Sequence, residues 1–195
     1  MLIQKNDSLE KAFTNVYDQL KRAGVDARHN FRFFSVATVE DGDRSFPKSR
    51  MVVLRSFNED WTFEFYTDNR SSKVKEIKNN PILSALFWDP SIRLQVRIEA
   101  DAEIHNLDEI SAERWKHVQG DAQKAYTSVP APGTPVDAPE NAHEWPEIMD
   151  DENFAVVRSV PKRVKILQIS GIEHLALDLY RSATTDKWSG TWITP

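Results

Sequence analysis

The pattern of hydrophobic and polar residues divides the chain into an N-terminal helix and a long series of strands. Hydrophobic residues recur at helical spacing over residues 7–23 and predict a helix there. Asp7 or Ser8 can cap its start, and Gly24 follows as a stop signal. We expect the apolar face of this helix to pack on the core. Its sequence shows no residues with a catalytic pattern.

Beyond residue 30, aromatic and β-branched residues bounded by turn residues predict strands. The clearest alternation of apolar with polar residues covers 92–99, so one face of that strand is buried. A turn signal lies at 41–43, and a short helix is predicted over 71–79. The predicted strands are 31–40, 49–57, 61–67, 82–88, 92–99, 163–169, 174–181 and 187–193.

The segment between the two groups of strands is different. Residues 107–119 read as a helix, and residues 130–146 contain five prolines, which is typical of a functional or a disordered loop. Helices do not alternate with strands, so the pattern predicts a mainly β fold with added helices (α+β), a β-barrel rather than a parallel sheet.

We expect one domain over residues 1–195, divided into four parts. These are an N-terminal helix at 1–24, barrel strands at 30–105, an acidic helix and proline-rich loop at 106–152, and closing strands at 153–195.

Composition excludes several classes of protein. Ten Phe, six Trp and four Tyr in 195 residues supply enough surface for one good-sized core. The chain has no cysteine, which excludes disulfides, a cysteine nucleophile and thiolate metal or iron–sulfur sites. No apolar run approaches the roughly 20 residues of a membrane span, and charges interrupt the N-terminus where a signal peptide is apolar. We therefore expect a cytoplasmic protein that does not associate with membranes.

The net charge of −5 is unevenly distributed. Residues 101–152 carry 13 acidic and 3 basic residues, so the rest of the chain has a net charge of +5. One interpretation is that this segment is an ordinary solvated acidic insertion. The other is that the N-terminal half of the chain holds a site for a small anion. The acidic total argues against a nucleic-acid binder, which must neutralise phosphates.

Motifs for catalysis by the chain alone are missing. The sequence has no P-loop, no strand–GxGxxG–helix unit and no GxSxG. Its five histidines lie far apart without metal-ligand spacing, so we expect no metal site. A cofactor would have to supply any redox or group-transfer chemistry.

One stretch has the composition of a phosphate site. Thr67, Arg70, Ser71, Ser72 and Lys73 join a strand end to a helix start, where hydroxyls, fixed positive charge and free amides converge. The alternative is an ordinary capped surface helix.

The preceding strand carries an arginine at each end of an apolar run. Arg50 and Arg55 are five residues apart, so an extended strand points them to opposite faces unless a bulge intervenes.

Taken in order, these motifs resemble one family. The run RMVVLR at 50–55, then Tyr66-Thr67, Ser71-Ser72-Lys73, NNPILSALFW at 79–88 and LQVRIEA around Gln95 is similar to the FMN-binding split barrel of pyridoxamine 5′-phosphate oxidase and its relatives. The resemblance covers residues 30–105 and resumes weakly at 160–195. It implies a split β-barrel that forms a homodimer with FMN at the subunit interface.

The resemblance also implies the cofactor contacts. Arg50 would bind the phosphate or ribityl chain of FMN, Ser72 and Lys73 the phosphate, and Tyr66 and Thr67 the ring and the ribityl-phosphate side. The strand backbone would run along the flavin, and Gln95 would bind the ring edge from the other subunit. The full candidate set is Arg50, Met51, Val52, Val53, Arg55, Tyr66, Thr67, Arg70, Ser71, Ser72, Lys73 and Gln95.

The sequence departs from the oxidase at one phosphate-binding position and at the positions that contact its substrate. Ser72 stands where the oxidase has a phosphate-binding arginine, which Arg70 could replace, and Arg55 stands where it has a substrate-contacting lysine. Three further oxidase positions, a tryptophan on the flavin and an Arg-x-His pair, become Ile169, Leu175 and Leu177. The resemblance is therefore to the oxidase-related subfamily rather than to the oxidase itself.

Aromatic residues of the later segments have two interpretations. Tyr126, His143 and Trp145 could cap the open face of the flavin, or the segment is a surface loop with one anchoring tryptophan. Trp188 and Trp192 either flank the flavin or belong to the core.

Four functions remain open on the sequence. The first is an FMN-dependent oxidoreductase that acts on an unidentified small molecule, with a nicotinamide or another small electron donor; Arg55 would stabilise the reduced flavin. The second is a non-catalytic flavin carrier or sensor. The third is a haem-handling split-barrel protein, for which the sequence offers no persuasive axial ligand. The fourth is a nucleic-acid-binding barrel, for which Arg93, Gln95 and Arg97 give only a hint of support.

Overall fold

The computed structural model describes residues 1–40, 42 and 45–195, so the first and last residues of the turn predicted at 41–43 lie outside the described residues. The strands are β1 Phe33–Val39, β2 Pro47–Phe57, β3 Phe63–Asp68, β4 Ile82–Asp89, β5 Leu94–His105, β6 Phe154–Gln168, β7 Leu175–Arg181 and β8 Trp188–Ile193. The α-helices are α1 Leu9–Val25, α2 Ser72–Asn79, α3 Glu109–Trp115 and α4 Lys124–Thr127, and short 3-10 turns cover Asn30–Arg32, Gly120–Gln123 and Pro139–Ala142.

Six of the strands close into an antiparallel barrel in the order β3-β2-β1-β4-β5-β6, because β3 pairs with β6 as well as with β2. Strand β6 makes the closure possible. Its first half pairs with β3, its second half pairs with β7, and β5 pairs along most of its length. Strands β7 and β8 extend the sheet beyond the barrel. The fold is the α+β split barrel that the sequence predicted.

Aromatic side chains fill the barrel. The rings of Phe34 and Phe87 stack with centroids 4.4 Å apart, and Phe63 meets both edge-on. All three are fully buried, and each such burial contributes roughly 1.5–3 kcal/mol to folding. Helix α1 packs the buried stripe of Ala12, Val16 and Leu20 on this core.

The N-terminal helix starts as predicted and ends later. Ser8 is its cap and accepts a hydrogen bond from the Lys11 amide at 3.1 Å. The predicted stop at Gly24 is wrong, because the helix continues to Val25. A Cβ at Gly24 would lie 3.1 Å from the Phe57 amide nitrogen, so this glycine lets α1 approach β2 closely.

Two predicted boundaries are corrected. The helix predicted over 107–119 is only Glu109–Trp115, which begins at a capping box between Asp108 and Ser111. Strand β6 begins at Phe154, nine residues before the predicted strand at 163. The pairing of β6 with β5 shifts register opposite Pro161 and continues on both sides, so the strand includes this proline.

Candidate functional site

Side chains from β2, β3 and α2 meet at one end of the barrel and form a cationic cluster, defined here as Arg50, Thr67, Ser71 and Lys73. The Lys73 ammonium donates to the Thr67 hydroxyl at 2.8 Å, and that hydroxyl lies 3.3 Å from the Ser71 hydroxyl. Thr67 and Ser71 are buried. The structure therefore keeps Thr67, Ser71 and Lys73 of the predicted stretch together and brings Arg50 of β2 close to Lys73.

Arg50 is held in this cluster by its neighbours. Its guanidinium donates to a carboxylate oxygen of Glu76 at 2.8 Å, to the Lys48 carbonyl at 2.9 Å and to the Thr38 hydroxyl. The Thr38 hydroxyl in turn donates to Glu76. Sequence reasoning missed Thr38 and Glu76; the (i, i+4) spacing of Ser72 and Glu76 on one helix face was the available signal.

The electrostatics of the cluster favour an anion. Burial lowers the pKa of Lys73, and the nearby charge of Arg50 lowers it further. Among the described residues Lys73 forms no ion pair within 4 Å, so its charge is only partly compensated there. The Ser72 and Lys73 amides in the first turn of α2 also have no backbone partner among the described residues, whereas the Val74 amide donates to the Ser71 carbonyl. These groups fit a phosphate monoester.

Ser72 and Arg70 are directed elsewhere. The Ser72 side chain hydrogen-bonds to Glu76. Arg70 forms a two-pronged pair with Asp68, with Nη2 and Nε at 2.7 and 3.1 Å from its carboxylate oxygens. The same guanidinium donates to the Ser128 and Val129 carbonyls at 2.6 and 3.1 Å. Arg70 thus fastens the proline-rich loop to the end of β3.

Arg55 occupies a β-bulge. The pairing of β2 with β3 shifts between Leu54 and Ser56, which makes Arg55 the extra residue. Its guanidinium donates to the Tyr126 hydroxyl at 3.0 Å and lies 5.3 Å from the centre of the Tyr66 ring. Its Nε–H is buried and has no hydrogen-bond partner among the described residues. The group is thus a half-buried cation with free donor capacity.

Tyr66 and Tyr126 belong to a second apolar cluster, in which both rings meet Phe154 edge-on. Burial raises the pKa of Tyr66, and the neighbouring Glu64 carboxylate raises it further. Glu64 is itself buried and paired with Arg114 of α3 at 2.8 and 3.1 Å. This ion pair fixes α3 over the outer side of β3.

Part of the outer face of the barrel is apolar and exposed. Met51, Ser35 and Leu86 occupy one row across β2, β1 and β4, and the row continues to Arg97 on β5. Exposed hydrophobic side chains on this face include Phe33, Met51, Leu86 and Trp88.

Gln95 lies on the same outer face, two residues along β5 from Arg97 and paired with Trp88. Two strands, β1 and β4, separate β5 from β2, so Gln95 is about 14 Å from the strand of Arg50. The structure thus does not bring Gln95 to the cationic cluster within one chain. Val52 faces the core, whereas Met51 and Val53 face outward.

The aromatic residues of the loop hold it in place. Trp145 donates from its indole nitrogen to the Lys124 carbonyl at 3.0 Å and stacks on His143. Trp188 packs against Phe13 and Trp61 of the core, whereas Trp192 is 37% exposed.

A groove of about 510 Å³ opens on the outer face between β1, β4 and β5. Its lining includes the apolar Val39 and Ile82 and the charged Arg97, Glu99 and Lys162. None of the candidate cofactor residues lines it. The described residues contain no group of three His, Asp or Glu able to hold a metal, and none of their helices is long and apolar enough to cross a membrane.

Comparison with known proteins bears on the family and the fold of the chain. Residues 10–106 match the family model described as pyridoxamine 5′-phosphate oxidase, FMN-binding domain. A pyridoxine/pyridoxamine 5′-phosphate oxidase from Caulobacter vibrioides is 34% identical over 64% of this chain and 56% of its own length. One from Pelagibacter ubique is 44% identical over 33% of this chain and 30% of its own length. The matched stretches therefore span roughly half or less of these oxidases.

Two solved structures share the fold over nearly the whole chain. A pyridoxamine 5′-phosphate oxidase-related, FMN-binding protein from Nostoc punctiforme superposes with a TM-score of 0.77 at 23% identity, covering 97% of this chain and all of its own. PhzG from Burkholderia lata, solved with tetrahydrophenazine-1-carboxylic acid, superposes with a TM-score of 0.73 at 18% identity, covering 94% and 92%.

The fold and the matched domain define a split-barrel flavoprotein. The chain belongs to the pyridoxamine 5′-phosphate oxidase-like FMN-binding family, and FMN is the cofactor of the matched domain. The resemblance inferred from the motifs at 50–55, 66–73 and 95 is confirmed.

Proposed function

We propose that the protein is an FMN-dependent oxidoreductase that acts on a small molecule and is not a pyridoxamine phosphate oxidase. The observation that carries this proposal is the cationic cluster at the start of α2, beside the outward-facing apolar strand of Met51 and Val53. FMN, when bound, supplies hydride and electron transfer. The chain binds and orients it.

Each residue of the site has a role in FMN binding that follows from its position. Arg50 and Lys73 neutralise the phosphate, while Thr67 and Ser71 donate hydroxyl hydrogen bonds to it. The backbone of residues 51–53 supplies an apolar surface for the ring, with Tyr66 beside it. Arg55 places a half-buried positive charge where the reduced flavin carries its negative charge.

We further propose that two chains associate through the outer faces of their barrels. The exposed Phe33, Met51, Leu86 and Trp88 support this association, because a contiguous apolar patch is typical of an interface. The partner chain would then supply Gln95 to the ring edge, which its position about 14 Å from β2 otherwise prevents.

A flavin carrier or sensor is the second candidate. Leu177 is completely buried in the core and Leu175 packs against it. These leucines replace the polar pair with which the oxidase is expected to hold its substrate, so the site offers no counterpart of that pair.

The first experiment is to purify the protein and analyse the flavin that is released on denaturation. We expect stoichiometric FMN, and a colourless protein that does not take up FMN would refute both candidates. Anaerobic addition of NADH or NADPH then separates them. Bleaching of the flavin supports the oxidoreductase, whereas a flavin that neither nucleotide reduces supports the carrier.

A double variant tests the phosphate site. Arg50→Ala with Lys73→Ala is expected to lose FMN while the circular dichroism spectrum stays unchanged. Lys75→Ala is the matched control, because Lys75 is exposed on the same helix. Stoichiometric FMN in the double variant would show that the phosphate binds elsewhere.

A further inference from the structure

One buried carboxylate, that of Glu76, contacts Arg50 of the cationic cluster and has no role in the function proposed above. The Glu76 side chain is 8% exposed and lies one turn into α2. It accepts hydrogen bonds from Thr38, Arg50 and Ser72, which come from three different elements. Although burial raises its pKa, these hydrogen bonds hold the pKa of Glu76 below its ordinary value, so the carboxylate is charged at neutral pH.

Glu76 has two opposing effects on a bound phosphate. It holds Arg50 in place, which favours binding, and it offsets the charge of Arg50, which opposes binding of a dianion. Asp68, the other nearby carboxylate, is paired with Arg70. Arg50 and Lys73 together with Glu76 leave the cluster with one net positive charge.

We propose that Glu76 sets the affinity of the cluster for a phosphate monoester, and thereby the discrimination of FMN from riboflavin. The inference rests on the proposed binding of the FMN phosphate at this cluster. Glu76 keeps Arg50 positioned in the flavin-free protein and weakens the hold on the phosphate once FMN is present.

The relative size of the two effects decides whether removing the Glu76 charge strengthens or weakens phosphate binding. At an effective dielectric constant of about 20, a unit charge anywhere within about 10 Å of another changes a binding constant more than tenfold. Releasing one guanidinium side chain changes it by about two- to tenfold. Because the phosphate carries close to two negative charges, the electrostatic effect is the larger one.

Two neutral variants separate the effects. Glu76→Gln keeps the shape and one acceptor oxygen but removes the charge, whereas Glu76→Ala removes the positioning as well. We expect Glu76→Gln to bind FMN about tenfold more tightly than the wild type at low salt, with unchanged affinity for riboflavin. The gain should shrink as ionic strength rises. Glu76→Ala should gain less than Glu76→Gln.

Titration of flavin-free protein with FMN and with riboflavin measures both affinities by the change in flavin fluorescence. Riboflavin binding at the wild-type level shows that a variant is folded. If only one of the two neutral variants folds, that variant is enough to test the effect of removing the charge. Glu109→Gln, at an exposed position of α3, is the matched control and should change neither affinity. Unchanged or weakened FMN binding by Glu76→Gln would overturn the proposal.

The same titrations distinguish this inference from the function on which it rests. If the wild-type protein binds neither flavin, the proposed function fails. Inorganic phosphate then still tests Glu76, because the neutral variants should bind phosphate more tightly than the wild type.

Discussion

The Tyr126 hydroxyl accepts a hydrogen bond from the Arg55 guanidinium at 3.0 Å, across 71 positions of sequence. Tyr126 lies beyond the residues matched by the family model, which end at 106. The guanidinium also lies over the Tyr66 ring. A part of the chain outside the matched domain therefore completes the surroundings of Arg55, the residue proposed to face the flavin ring.

We predict that Arg55→Gln makes the midpoint potential of bound FMN more negative by about 30–60 mV, because a cation stabilises the negatively charged reduced form; for a two-electron couple about 30 mV corresponds to 1.4 kcal/mol. Tyr126→Phe should shift the potential in the same direction by less, since the charge remains but one tether is lost. Spectroelectrochemistry measures the potential. Lys75→Ala is the control, and an unchanged potential in Arg55→Gln would contradict the placement of Arg55.

The affinity for FMN should fall at alkaline pH. Burial and Arg50 lower the pKa of Lys73 in the flavin-free protein, whereas Asp68 and Glu76 raise it. The FMN phosphate favours the charged amine, so affinity is constant below the pKa of the flavin-free protein and decreases above it. Titrations above pH 7.5, where the phosphate is a dianion, measure this decrease. Riboflavin should show no such decrease, and Lys73→Arg should move it beyond the range of the measurement.

A charge on the outer face should separate the proposed dimer. Phe33 is 58% exposed on β1 and opposes Val53 of β2. We expect Phe33→Lys to shift sedimentation to the monomer and to weaken FMN and riboflavin binding together, since the ring edge loses the partner's contact. Ile172→Lys changes a residue that is 99% exposed in a turn, and it should have neither effect. A Phe33→Lys variant that remains dimeric would exclude this face as the interface.

Removal of the partner of Glu64 should destabilise the fold. Glu64 is 1% exposed, and Arg114→Ala leaves its carboxylate buried without its counter-ion. The expected loss is about 3–5 kcal/mol in the free energy of unfolding, measured by urea denaturation. Lys116→Ala breaks an exposed pair with Glu113 on the same segment and should cost less than about 1 kcal/mol. Equal losses in the two variants would contradict this account.

The sequence predicted the strands of the barrel because alternation reports burial directly. Residues 94–99 of the strand predicted at 92–99 lie within β5, which begins at Leu94 and runs on to His105, and the motif at 71–73 marks the start of α2. The predicted family and cofactor also follow from local motifs. Thr67, Ser71 and Lys73 meet because they lie where β3 ends and α2 begins, and Arg50, within the neighbouring strand β2, lies near enough for its charge to act on Lys73.

What the sequence could not predict depends on long-range contacts. The use of Arg70 to hold the loop requires carbonyls 58 and 59 residues away. Glu76 looks like any helix surface residue until Arg50 and Thr38 approach from the neighbouring strands. The prediction missed the first half of β6, which is stabilised by pairing with β3 and β5, strands that are distant in the sequence.

The β-bulge at Arg55 has a consequence for how this site can change during evolution. In a regular strand each side chain points to a fixed face of the sheet, so a new side chain at one position disturbs the packing of its neighbours. The extra residue of a bulge is released from the pairing of the ladder. Position 55 can therefore exchange one cation for another, or for a neutral group, while Leu54 and Phe57 keep their places in the core. The barrel thus offers selection a position at which the charge proposed to face the flavin varies independently of folding.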